Sequence, residues 1–586
     1  MTASFTRISS DIKLLPTASA AATSVSAGAA ETDLWIFRDG CKSVSGPRMV
    51  HDLVRRLARN GAPLLDSLIQ AGELEAALVD ADSSGAIAAS QLTDALARIV
   101  CTGNQREAIE LQKLVGRITT PDWISISPPE GFTYYALHPL DFAKIIARIP
   151  AEPRACAIIG IRSIGTTLSA MTAASLEAEG RPASRITVRP TGHPYARITQ
   201  FTSEQSRWIN ERVSDGAQFL VVDEGPGRSG STFLSVSEAL VIAGVRQENI
   251  TVLGSRQFNP EVLCAENAAT RWQGFRFVST VPSVNMRFEK CLYLGGGEWR
   301  SYLSDGEEAW PESWTQMERL KFLSPDGQTI FKFEGMGPRG SEAKERAFAL
   351  GSGGFSPKVS DAGDGFLAYV RLKGRHLNRE DLNCSLLETI ARYCAFRVSE
   401  FTYQHAGPEQ LRQMLEFNVQ QEFGREICRD SDGDIDMEAL ASGNTVLADG
   451  RMQPHEWVAV DPGQFLKTDG ISHGDNHFFP GPCHIAWDLA GTAIEWRLSP
   501  DALEFLLAKF GKFSGLEISR ELPAYMLAYA VFRLGFCKMA MTTVPGTREE
   551  QRLRSAYLYY RGQALQVLGK QRRTPGSLRV QASYGP

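Results

Sequence analysis

FLVVDEGPGRSGST, Phe219 to Thr232, reads as a strand, an acidic pair and a Gly/Ser loop. The apolar run Phe219–Val222 ends in Asp223 and Glu224, and Gly225 to Thr232 has the spacing G-x-x-x-x-G-S-T. A nucleoside-triphosphate loop places a lysine before its last hydroxyl residue, and Ser231 stands there instead. The rest of the device is intact. Backbone N–H groups at a strand-to-helix turn make an anion cradle. Two carboxylates directly before it accept hydrogen bonds from sugar hydroxyls and can hold Mg2+. A sugar flanked by phosphates would use both halves.

Working outward, ACAIIGI (155–161), SRITV (184–188), QFLVVD (218–223) and NITVLG (249–254) are short, apolar and rich in β-branched residues. Helix-like stretches, TTLSAMTAASLEAEG and STFLSVSEALVIAG, lie between them. This alternation predicts a parallel sheet built from βαβ units. IIGIRSIGTT (158–167) is a second strand-turn-helix, with Gly160, Arg162, Ser163 and Gly165 in its turn. RITVRPTGHPYAR (185–197) lies between the two loops and brings Arg189, His193, Tyr195 and Arg197.

Asp223-Glu224 with the loop after it resembles the signature of the type I phosphoribosyltransferases, with one extra loop residue. The resemblance implies a site for phosphoribosyl pyrophosphate and Mg2+. Asp223 and Glu224 would contact the ribose hydroxyls. Gly227, Arg228, Ser229, Gly230, Ser231 and Thr232 would hold the 5-phosphate. The loop at Gly160, Arg162 and Ser163 would hold pyrophosphate, for which an arginine fork is well suited. Arg189 and Arg197 would clamp it or shield the reaction from water. The likeness covers about 150 to 260; residues 34–150 match no family core and fit the role of a hood that selects the acceptor.

The second half carries a different cluster. Three of the nine histidines fall in ISHGDNHFFPGPCHIAWDLAG, 471–491. His473, Asp475, His477 and Asp488 stand out, because separated carboxylates can divide phosphoryl transfer between orienting a hydroxyl and holding Mg2+. The arrangement resembles the aminoglycoside phosphotransferase group of protein-kinase-like small-molecule kinases, whose catalytic segment reads H-G-D with a metal-binding Asp about a dozen residues on, in a short apolar strand. That resemblance implies Asp475 as catalytic carboxylate and Asp488 as metal ligand. The family has Asn five residues after the catalytic Asp; here Pro480 stands there, and Asn476 or His477 is the substitute. Upstream, Lys332 in TIFKFEG takes the place of the ATP-binding lysine, and Glu345, in a helix expected to begin near Ser341, that of its partner. GFLAYVRLKG (365–374) falls near the adenine.

Other patterns are weaker. GMGPRG (335–340) has the spacing of a dinucleotide loop, but no βαβ continuation follows it. GDNH also matches one piece of a metallophosphoesterase signature whose other blocks are missing. His484 reads as a turn-packing residue. TVLADGRMQPHEWV (445–458) reads as a hairpin whose Arg451, His455 and Glu456 are ordinary surface groups.

The chain has 586 residues, too many for one core. The expected organisation is a tail (1–33), a phosphoribosyltransferase-like domain (34–292, hood 34–150, core 151–260), a linker (293–316), a kinase-like α+β domain in two lobes (317–570) and a second tail (571–586). At 43% hydrophobic and 22% charged the composition is ordinary, and a net charge of −5 gives no general attraction to nucleic acid or anionic membrane. No apolar run reaches membrane-spanning length. The ten cysteines are scattered, which fits a reducing cytoplasm. These readings converge on a bifunctional enzyme that uses phosphoribosyl pyrophosphate, ATP and Mg2+ on small-molecule acceptors. The alternative is a regulator that senses these nucleotides without turning them over.

Overall fold

The computed structural model describes residues 42–58, 64–104, 108–150, 154–193, 195–227, 229–303, 306–403, 409–424, 437–440, 443, 445–476 and 478–571. The expected tail at 1–33, most of that at 571–586, Arg228 and His477 lie outside them. Among the described residues no helix is long and apolar enough to cross a membrane.

The first segments are β1 (Lys42–Ser45), α1 (Gly46–Ala58), α2 (Leu64–Asp80), α3 (Ala86–Thr102), α4 (Ala108–Val115), β2 (Trp123–Ile126), α5 (Glu130–Tyr134) and α6 (Pro139–Lys144). β1 and β2 pair antiparallel. The βαβ series follows: β3 (Cys156–Ile161), α7 (Ile164–Ala178), β4 (Ala183–Val188), the hairpin β5 (Thr191–His193) and β6 (Ala196–Ile198), α8 (Ser203–Ser214), β7 (Gln218–Val222), α9 (Ser231–Ile242), β8 (Ile250–Gly254), α10 (Ala268–Trp272), β9 (Arg276–Ser279) and α11 (Ser283–Arg287). The sheet order is β4-β3-β7-β8-β9, and every pairing is parallel. β3 and β7 are wholly buried, as continuous apolar strands of a doubly covered sheet must be. Chain direction across the sheet reverses between β3 and β7. In open α/β sheets ligands bind at that switch, outside the carboxyl ends of the strands.

The second sheet is antiparallel: β10 (Leu292–Tyr293), β11 (Lys321–Leu323), β12 (Thr329–Phe333), β13 (Val359–Gly363) and β14 (Phe366–Val370), in the order β10-β11-β12-β14-β13. α12 (Gly337–Ser352) connects β12 to β13. Gly327 turns β11 into β12 at φ 69°, as the Pro-Asp-Gly stretch leads one to expect. β15 (Arg375–His376) then leads to the helices α13 (Cys384–Glu400) and α14 (Glu409–Phe423), the strands β16 (Thr445–Val446), β17 (Trp457–Asp461), β18 (Gln464–Lys467) and β19 (Cys483–His484), and the helices α15 (Ala486–Glu495), α16 (Pro500–Ser514), α17 (Leu522–Met541) and α18 (Arg548–Gln571).

Two readings shift. The helix after Lys332 begins at Gly337, so Ser341 is not its cap; its Oγ accepts from Arg56 at 3.0 Å. Asp488 opens helix α15 rather than sitting in a strand. The two sheets also share one apolar core. Ile158 and Leu220 of the parallel sheet, Phe132 of α5, and Phe322, Phe333 and Phe366 of the antiparallel sheet belong to a single buried cluster. The segment expected as a linker is tied down: Tyr293 pairs with Phe322, and Trp314 is buried in the helical core.

Candidate active sites

The two glycine loops meet at the switch of the parallel sheet. A Cβ on Gly165 would lie 2.6 Å from the Val222 carbonyl oxygen and 3.5 Å from Asp223 Oδ1. Glycine alone permits that approach. Ser163, between the loops' strand and helix, has φ 103°, a conformation that L side chains rarely adopt and that is retained mainly at functional turns. Gly230 caps α9 at φ 69°, and Ser229 Oγ and Ser231 Oγ lie 3.0 Å apart behind it.

The acidic pair is strongly perturbed. Burial pushes Asp223 up to about 7, against Arg189. Burial, with Glu130 and Asp223 beside it, pushes Glu224 up to about 8, against Arg256. Glu224 Oε1 and Arg256 Nη1 are buried without a hydrogen-bond partner among the described residues. The basic residues gather nearby: Arg162 Nε lies 2.9 Å and Arg189 Nη2 2.5 Å from Asp80. Arg197 donates to the Gly192 carbonyl at 2.7 Å in the hairpin. The structure thus brings together Gly160, Arg162, Ser163, Asp223, Glu224 and the 227–232 loop, apart from Arg228. It adds Glu130 and Arg256, which no motif marked.

The second site is a cleft of about 250 Å³ between the antiparallel sheet and the helical region. Lys332 reaches into it from β12 and is ion-paired to Asp469 Oδ1 at 2.6 Å and Glu334 Oε1 at 2.9 Å. Burial would lower the Lys332 ammonium, but Asp469 and Glu334 hold it above its ordinary value. Burial would likewise raise Asp469, and Lys332, His473 and Lys321 hold it well below the carboxylate range. Both groups are therefore charged at neutral pH.

Glu345 does not pair with Lys332. The inward stripe of α12 is Ala343, Arg346, Ala347 and Leu350, at helical spacing, and Glu345 is exposed beside it. Arg346 Nη2 lies 3.4 Å from Asp475 Oδ2. Asp475 is not among the residues lining the cleft, although Asn476 is. Asn476 Oδ1 accepts from the Phe478 N–H at 3.0 Å and so caps a turn.

Asp488 is also corrected. It is fully enclosed, does not line the cleft, and accepts from the backbone N–H groups of Asp449 (2.8 Å) and Gly450 (3.0 Å). It anchors the loop 447–456 from below, with Arg397 Nε at 3.7 Å. That loop is the element the sequence reading undervalued. His455 and Glu456 are not surface groups: His455 is half-buried and Glu456 buried, and both line the cleft together with Arg451. Asp449, Glu456 and His473 lie close enough to share one ion. Lys467 already sits among them, 2.6 Å from Glu456 and 3.3 Å from Asp449. His484 is a packing residue, its Nδ1 accepting from the Ala486 N–H.

One short helix separates the two sites. α5 faces Glu224 at Gly131, where a Cβ would lie 2.7 Å from Glu224 Oε2. On its other side the Thr133 carbonyl accepts from Arg319, which lines the cleft, and the Tyr134 hydroxyl donates to the Asp475 carbonyl at 3.2 Å.

No family model matches the chain. No curated protein matches it either. Among solved structures, choline kinase LicA from Streptococcus pneumoniae overlaps at 12% identity over 43% of this chain and 90% of that one, with a TM-score of 0.33. Plasmodium vivax ethanolamine kinase overlaps at 10% identity over 43% and 80%, TM-score 0.32. Macrolide 2'-phosphotransferase MphH from Brachybacterium faecium overlaps at 12% over 42% and 88%, TM-score 0.30. Overlaps this weak transfer neither fold nor function, and the site geometry stands by itself.

Proposed function

We propose that the second half binds ATP with Mg2+ and transfers its terminal phosphoryl group to a small hydroxylated compound, while the parallel sheet binds phosphoribosyl pyrophosphate with Mg2+ and transfers its phosphoribosyl group. The observation that carries the first part is the Lys332–Asp469 ion pair across the cleft. Protein kinases place a lysine on the third strand of their sheet, ahead of a helix, and a metal-holding Asp further along the chain. Here Lys332 is on the third strand of the sheet with α12 after it, and Asp469 directly follows the β17–β18 hairpin. An ionised Asp469 suits Mg2+, which would neutralise phosphate charge there. Lys332 would bind phosphate oxygens once Asp469 turned to the metal, and the apolar walls, Phe478 and Phe536 among them, would exclude water.

The test is Mg2+-dependent ADP formation by the full-length protein and its Asp469→Asn variant. The reading expects a loss of about a hundredfold or more in the variant. Equal rates in the two proteins would end it.

The phosphoribosyl part rests on the two loops and the acidic pair converging at the sheet's switch point. Its test is calorimetric titration of phosphoribosyl pyrophosphate with Mg2+ into wild type and Asp223→Asn/Glu224→Gln. A second reading, a sensor that binds nucleotides without turnover, is favoured by Lys467, which ties up Asp449 and Glu456. ATP binding without ADP formation under any acceptor would select it.

A further inference from the structure

We propose that a second cavity beside the cleft is the acceptor subsite, and that it takes a hydroxylated compound bearing a phosphate or carboxylate group. The inference rests on the phosphotransfer reading above and adds to it a site and a substrate class. The cavity measures about 710 Å³, within the range that holds small metabolites. Leu303, His376 and His455 line both it and the cleft, so the two spaces adjoin.

Its charge is unbalanced. Arg379 and Arg497 line it and lie against the Tyr559 ring, at 5.6 and 4.6 Å. Neither has a carboxylate partner among the described residues; Arg379 donates Nε to the Glu495 carbonyl at 2.7 Å. The wall carboxylates Glu312 and Glu495 are already engaged by the buried Arg533, at 2.8 and 3.6 Å. Glu308 is the remaining, exposed acid in the lining. Arg497 has φ 52°, a backbone conformation uncommon for a long side chain and of the kind that clusters at ligand clamps. Arg379 spends Nε on the Glu495 carbonyl and Arg497 hydrogen-bonds the Tyr559 hydroxyl, and the two guanidinium groups, with no carboxylate between them, match a phosphate or carboxylate and repel an ammonium.

The junction supplies a proton acceptor. His376 Nδ1 lies 2.8 Å from the His455 carbonyl oxygen. A carbonyl only accepts, so Nδ1 carries the hydrogen and the neutral ring keeps its lone pair on Nε2. The step is then balanced. The acceptor hydroxyl oxygen bonds to the terminal phosphorus of ATP, and the bond from that phosphorus to the bridging oxygen breaks, its electron pair leaving on ADP. The hydroxyl proton passes to His376 Nε2 and on to water. This gives the hydroxyl a base where Asp449 is held by Lys467.

The experiment measures ADP formation by the full-length protein with ribose 5-phosphate, gluconate or ethanolamine as the probe, alongside binding of a non-hydrolysable ATP analogue. We expect one of the two anions to raise the rate at least about tenfold. Arg379→Gln/Arg497→Gln, at two exposed positions, removes that gain while leaving analogue binding unchanged. His376→Gln lowers kcat about tenfold or more with KM nearly constant. Preference for ethanolamine overturns the proposal. Anion stimulation that survives the double arginine variant also overturns it, because the anion then sits at the 227–232 loop. Failure of the ATP analogue to bind wild type refutes the phosphotransfer reading itself, which separates the two failures.

Discussion

The two candidate sites are built by opposite means. At the switch of the parallel sheet the loops follow single strands, and the donors are backbone N–H groups positioned by glycines a few residues apart. In the cleft the charges are side chains from distant parts of the chain: Lys332 and Asp469 are 137 positions apart. A backbone cradle is local and leaves a spacing in the sequence. A side-chain site is assembled by packing, and its members reveal their roles only through what each one touches.

Asp488 is where that contrast breaks most sharply. As a metal ligand it would be dispensable to the fold. As the anchor of the 447–456 loop it holds two backbone N–H groups and faces a fully buried Arg397. Burial pushes it up to about 6 despite Arg397. Asp488→Ala therefore leaves a buried cation and two buried donors short of a partner, and is expected to cost about 3–5 kcal/mol, read as a lowered midpoint in urea. A variant of unchanged stability that lost only Mg2+ dependence would restore the metal role.

The same packing logic explains what was legible. The strands 156–254, the acidic pair and both glycine loops follow from apolar runs and turn residues, so the doubly covered sheet was readable in advance. The strand that carries Lys332 was readable too, from the Pro-Asp-Gly turn before it. Its partner was not, because the phase of α12 depends on a helix start at Gly337 that no capping residue announces. Asp469 carries a usable signal: it follows two short strands, WVAVD and QFLK, joined at a Pro-Gly turn. The H-G-D triplet a few residues later is the more conspicuous pattern, yet its Asp475 does not line the cleft. His376, Arg379 and Arg497 lie in no motif, and only the cavities they line single them out; Arg256 is marked only by its buried Nη1 and the charge of Glu224 near it.

At the first site the largest expected effect comes from the close approach of the two loops. Gly165→Val puts carbon 2.6 Å from the Val222 carbonyl, against backbone that cannot turn away. A cost of about 1–3 kcal/mol is expected, with phosphoribosyl pyrophosphate binding lost in calorimetry. Retained affinity would show that the loops need not touch for the cradle to work.

Glu224 makes a smaller and pH-dependent contribution. Its folded value is raised from the ordinary 4.5 to about 8. Between those values the folded state binds more protons than the unfolded one, so this group's stabilisation is full below about pH 4.5 and declines as pH rises to about 8. Glu224→Gln abolishes that decline. Relative to wild type, it should gain about 1–3 kcal/mol between pH 5 and pH 8 in thermal unfolding. Parallel pH curves for the two proteins would mean that the carboxylate is better solvated than its enclosure indicates.

The subtlest expected effect lies in the wall between the sites. α5 is five residues long, with Gly131 against Glu224 and the Tyr134 hydroxyl on the Asp475 carbonyl. Arg339 Nη1 donates to that same hydroxyl at 2.9 Å, so the tyrosine relays one cation to the far side of the helix. Tyr134→Phe keeps the ring beneath Arg319 and deletes the relay, at a cost of about 0.5–1.5 kcal/mol in stability. If α5 transmits occupancy, the affinity ratio for ATP with and without phosphoribosyl pyrophosphate differs from one in wild type and moves towards one in the variant. Thermodynamic reciprocity demands the same ratio when the order of addition is reversed. A ratio of one in wild type, in either order, would make α5 a passive partition and leave the two chemistries joined only by the shared core.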